Sequence, residues 1–148
     1  EDGHFRPATC PVLSCNLTEC ELPAIGDAAE GLIAVGPYFR FAAGQPQPGR
    51  FGSSHEASAH AAVWMLARLL NGRPGAETLP ISALLSEAAA AGIGVDARTH
   101  HTVLPALVGQ VRGGRFEVIK DFGRIAGDPW LTRGRGLPVL SPKLRAVT

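Results

Sequence analysis

Lysine is nearly missing from this chain: Lys120 and Lys143 are the only two among 148 residues. Charged residues of both signs make up 18%, below the ~25% usual for a globular domain. With 45% hydrophobic residues, the chain falls outside the disordered class, which combines low hydrophobicity with high charge. So little charge also predicts that part of the surface is covered by a protein partner. The net charge is +1, so no general excess of cations is available to neutralise phosphates, and nucleic acid is not an expected partner. No apolar run reaches the ~20 residues needed to span a bilayer. The opening Glu1-Asp2-Gly3-His4 is not a signal peptide, since it lacks a basic start and an apolar middle. The compartment stays open.

The length suits a single domain with a real core. Cysteines are few and confined: Cys10, Cys15 and Cys20. They lie in a stretch of little periodicity, residues 1–24, punctuated by Pro7, Pro11 and Pro23. This reads as an irregular arm or a small cross-linked knob. Residues 25–35 are small and apolar and suit a short helix running into a strand. Gly36-Pro37 is a break, and the aromatic run at 38–42 reads as a strand. Residues 44–52 carry two prolines and three glycines and read as a linker. The chain thus divides into 1–52, an arm with a strand and linker, and 53–148, an α+β core with a tail.

The strongest periodic signal follows. Ser53 with Glu56 three residues later is a capping box. Ala59, Ala62, Val63, Leu66, Ala67 and Leu70 recur at helical spacing, and Gly72 and Pro74 stop the run. This predicts a helix over 54–71 with Leu66 and Trp64 in the core. A second helix is expected over 80–91, capped by Thr78 and ended by Gly92. Gly113-Gly114 between two β-rich runs predicts a hairpin of 102–111 and 115–122. The competing reading is a third helix over 97–111 with a winged-helix hairpin after it, but Pro105 fits the interior of such a helix poorly. A last short strand is expected over 137–140. The fold class is therefore α+β, with two helices packed on a small, mainly antiparallel sheet and an irregular Cys-containing arm.

Three constellations could carry chemistry. His4, Cys10, Cys15 and Cys20 supply three thiolates and an imidazole, the ligand class of a structural zinc site. One disulfide plus a free thiol, or three buried reduced cysteines, fit the same residues. Asn16-Leu17-Thr18 is a glycosylation sequon, relevant only in a secreted chain. His55-Glu56-x-x-x-His60 lies near a zinc-protease pattern, but five residues of helix turn the two rings about 140° apart. Glu56 is better read as a cap and His60 as packed beside Trp64. Trp130, in the polar tail, suits a partner-contact anchor.

The third constellation is His100-His101 entering the hairpin, with Asp121 leaving it. Residues 100–122 resemble the hairpin of papain-like and transglutaminase-like cysteine hydrolases. The resemblance implies His101 as the base and Asp121 as the group that orients it. It also implies a nucleophilic Cys at the start of the long helix, where this sequence has Ser53 or Ser54. On balance the residues favour a non-catalytic interaction or structural module, a subunit or fragment of a larger assembly. A cysteine hydrolase, active or degenerate, and a winged-helix nucleic-acid binder are the alternatives. For the latter, Arg98, Arg112, Arg115, Arg124, Arg133 and Arg135 supply basic charge in the C-terminal half.

Overall fold

The hairpin organises the sheet. In the computed structural model, which describes residues 10–42 and 49–128, β3 (Val103–Arg112) returns as β4 (Arg115–Ala126) through Gly113 and Gly114. Both glycines have positive φ, 56° and 75°, the conformation that a two-residue turn of this hand requires. β2 (Ile33–Gly36) pairs antiparallel with β3, and β1 (Leu13–Ser14) pairs parallel with β2. The sheet is therefore mixed, with strand order β1-β2-β3-β4. Two registers slip in the hairpin, one beside Pro105 and one between Val108 and Gly109. Pro105 has no N–H to give, so an irregularity beside it is expected.

The expected strand over 38–42 is not formed. The strand is Ile33–Gly36 instead, ahead of the Gly36-Pro37 break. Tyr38 and Phe39 serve a loop: Phe39 is buried against Phe116, ring centroids 4.7 Å apart. The residues expected over 137–140 lie outside the described part. Residues 10–24 are not an arm outside the core either. β1 is the edge of the sheet, and Leu22 of α1 (Leu22–Ile25) is buried in the main cluster. That cluster combines Leu22, Ala29, Ala34, Phe39, Leu107 and Val111, with Phe116 closing it. Gly109 lets Phe39 lie flat on β3, since a Cβ there would sit 3.0 Å from the ring.

Three α-helices are present rather than two, the additional one being short α1. α2 (Ser54–Gly72) starts at Ser53, whose Oγ accepts from Glu56 N at 3.4 Å. Glu56 Oε2 reaches back one residue further than a capping box needs and accepts from Gly52 N at 2.7 Å. Arg73, just past the end, is extended, as a residue before proline prefers. α3 (Ile81–Ala90) is preceded by Pro80 and has no side-chain cap. Thr78, the expected cap, instead bonds Gly75 O from within its own turn. Gly92 ends α3 as expected: Ile93 N bonds Ala88 O and Gly92 N bonds Ala89 O, the double bond pattern of a left-handed helix stop.

Among the described residues, α2 and α3 contribute nothing to the cluster on the core face of the sheet. They form a second cluster of Leu69, Ala88 and Ile93, flanked by Met65, Leu84 and Val95. An ion pair between Arg73 and Glu87 ties the end of α2 to α3.

Candidate functional site

The residues expected to act together are not brought together. Leu107 faces Asp121 across the hairpin, so Asp121 sits in mid-strand. His101 precedes β3 by two residues and lies beside Gly127, where a Cβ would come within 2.6 Å of its own. The two side chains are thus separated by six strand positions, about 20 Å. The expectation that they share the open end fails because β4 runs on to Ala126, five residues past Asp121. Asp121 Oδ1 is engaged locally, accepting from Gly123 N at 2.7 Å. Gly123, at φ 71°, lies at the register slip between Asp121 and Arg124.

The cysteines lie at the other end of the sheet from His101. Ser14 pairs with Ala34, which pairs with Gly109, eight residues along β3 from His101 and roughly 25 Å away. All three thiols are free and exposed. Among the described residues, no group of three His, Cys, Asp or Glu side chains is placed to hold a metal ion. His4 lies outside the described part, as does Trp130. At the start of α2, His55 is exposed and His60 stacks on Phe51 at 4.9 Å, with Arg50 Nη2 3.2 Å from its Nε2.

One histidine does meet a hydroxyl. His100 Nε2 lies 3.3 Å from Ser86 Oγ of α3. His100 holds a left-handed φ of 56° in a tight loop, fixed by His100 N to Asp96 O and Asp96 N to His101 O, both 2.8 Å. Ser86 Oγ also reaches Ser82 O at 3.1 Å. A hydroxyl has one proton. Given to Ser82 O, it leaves Ser86 to accept from the ring, the opposite polarity to an activated nucleophile. Sequence spacing gave no sign of this pair, because it joins a helix to a loop fourteen residues on.

Two clefts bracket the sheet. At the hairpin turn, Glu19, Asp27 and Glu30 share a cleft of about 670 Å³ with Arg40 and Arg115. Mixed charge gives it no strong preference for either sign. Glu19 Oε1 accepts from Arg40 N at 2.7 Å, while its buried Oε2 has no hydrogen-bond partner among the described residues. Beside it, Thr18 donates to Glu21 Oε2 through both Oγ1 and N, each at 2.7 Å. These bonds, the hydroxyl one first, hold the Glu21 carboxyl below its ordinary range. At the open end, a cleft of about 530 Å³ lies between α2 and the strands, lined by Trp64, Met65, Arg68, Ile93, Leu104 and Arg124. Arg68 covers the Trp64 ring at 5.1 Å.

The most unusual surface is α2 itself. Trp64 and Leu66 are each 51% exposed and Val63 69%. Both Trp64 and Leu66 were expected in the core. The physical reason is that α2 carries two apolar stripes. Met65 and Leu69, four residues apart on one side, enter the second cluster. Val63, Leu66 and Leu70, with Ala59 and Ala62, form a broader stripe about 100° further round, and it faces outward. No helix among the described residues is long and apolar enough to cross a membrane.

Comparison with protein-family models, with curated proteins and with solved structures finds no match to this chain.

Proposed function

We propose that this chain is a non-catalytic docking module, a subunit of a larger assembly, and that it binds a protein partner through the outward stripe of α2. The observation that carries the reading is the exposure of Val63, Leu66 and Leu70 on one regular helix face. A helix apolar on nearly all sides is stable in water only when something covers it. α3 and the loop after it, through Ala88, Ile93 and Val95, cover one side of α2. Covering the remaining half-exposed side chains is worth roughly 1 kcal/mol each at the usual value for apolar burial. The low charge of the chain points the same way. Between Glu56 and Arg68 the helix carries no acidic or basic residue except His60.

A photo-crosslinking amino acid placed at Leu66 in the native host tests this. A discrete protein adduct is expected from position 66 and none from Ser82, exposed on α3. Folded protein that gives no adduct at 63, 66 or 70 contradicts the docking reading.

A further inference from the structure

The stripe on α2 carries information about what covers it. Ala59, Val63, Leu66 and Leu70 are spaced four, three and four residues apart. That spacing reads the same in both directions along the helix. A copy of α2 running antiparallel, with residue numbers summing to 129, therefore places Val63 against Leu66 and Ala59 against Leu70, twice over. Small meets large at the outer pair, so the two surfaces interlock as knobs and holes do. From these features we propose that the occupant of the stripe is α2 of a second copy of this chain, antiparallel about a two-fold axis between positions 64 and 65. The proposal rests on the docking reading and names its partner.

Electrostatics agrees with this arrangement. The residues bordering the stripe, His60, Ala62 and Ala67, include no carboxylate, lysine or arginine. The helix residues of two identical faces therefore meet without the like-charge contact that self-association usually risks, and Arg50, 3.2 Å from His60, is a cation at the rim from outside α2. The same index sum brings the first turn of one copy, which carries Glu56, to the end of the other, where Arg73 follows the helix and pairs with Glu87, so opposite charges lie at each end of the contact. Antiparallel helices also align each macrodipole against the other. The contact is isologous, so it closes at two copies and leaves no stripe open for fibre growth. One helix pair lies below the ~1,200 Å² of stable interfaces, so the dimer is weak and reversible.

Analytical ultracentrifugation of the full chain, from low micromolar to near-millimolar protein, tests the partner. The mass is expected to rise towards twice the monomer. Leu66→Glu is expected to weaken association at least tenfold while leaving the helical circular dichroism intact, because the side chain already faces solvent. Orientation is read with a nitroxide on Ser54→Cys, the native cysteines replaced by Ser. The antiparallel pair predicts about 30 Å between the two labels from the 1.5 Å rise per residue. A parallel pair predicts near 10 Å, the spacing of packed helices. A monomer at every concentration, a Leu66→Glu variant that associates as the parent does, or the short distance overturns the proposal. If position 66 still cross-links a different protein in the host, the docking reading survives and only the second copy is lost. If position 66 gives no adduct either, both fall.

Discussion

Phe39 and Leu66 are both large apolar side chains near the middle of their segments, yet Phe39 is 2% exposed and Leu66 51%. The difference lies in what surrounds them. Phe39 is enclosed on several sides: Gly109 beneath it, Phe116 at its edge, and Leu22 and Ala29 in the same cluster. Four separate chain segments close that cluster. The helical cluster is closed only at one end, where Leu69, Ala88 and Ile93 meet. The rest of α2 projects beyond it. The sheet cluster is enclosed within the described residues, whereas the helical one leaves Val63, Leu66 and Leu70 exposed.

Mutations at the two clusters should separate them sharply. Phe39→Ala is expected to cost roughly 3–5 kcal/mol in denaturant unfolding, from lost burial plus the cavity left between Gly109 and Phe116. A loss under about 1 kcal/mol would mean that the sheet cluster is no better closed than the helical one. Gly109→Ala should cost roughly 1–3 kcal/mol, because the added methyl meets the Phe39 ring. Combined with Phe39→Ala it should cost much less, and full additivity in that double-mutant cycle would place the strain elsewhere. Ser53→Ala should cost about 1 kcal/mol by removing the cap of α2. Thermal melts in which that variant matches the parent would show that the helix start is held by other contacts.

The smallest stability effect is expected where the sequence pattern alone predicts a large one. Leu66→Ala in dilute protein should stay within about 0.5 kcal/mol of the parent. At high concentration it should destabilise, because association adds to apparent stability. The last prediction concerns pH in the sheet region. Glu21 is held below its ordinary pKa, so its contribution is present above the unfolded-state value and is lost as pH falls through the folded one. Thr18→Val removes the hydroxyl donor. An NMR titration should then show the Glu21 pKa rising, with a shallower loss of stability towards acid. An unchanged Glu21 titration would show that the Thr18 hydroxyl bond does not set it.

What could be read from sequence depended on whether the signal was local. The α2 start at Ser53, the stop of α3 at Gly92 and the Gly113-Gly114 turn are set by residues within a few positions, and all three were legible. The strand at Ile33–Gly36 was legible only as the end of a short helix running into a strand over 25–35, because four small apolar residues carry no period that fixes its bounds. The aromatic content of Tyr38-Phe39 suggests a further strand that does not form, because the Phe39 ring serves packing against Phe116. The α2 stripe was legible as a stripe. Its direction was not, since periodicity shows that one face is apolar and not which molecule it faces. The separation of His101 from Asp121 followed from strand length: nothing in the residues after Asp121 marks where β4 stops. The Ser86–His100 contact needed the three-dimensional path of the loop.

Thiol accessibility decides whether the outward stripe of α2 is open in the single chain. With the native cysteines replaced by Ser, Leu66→Cys and Leu107→Cys are compared for maleimide reactivity in folded protein, at a dilution where copies do not associate. The thiol at 66 is expected to react like a free thiol, while the one at 107, a site 4% exposed in the parent, is expected to react only through unfolding. A thiol at 66 as protected as the one at 107 would show that α2 is already covered by its own chain, and would contradict the account.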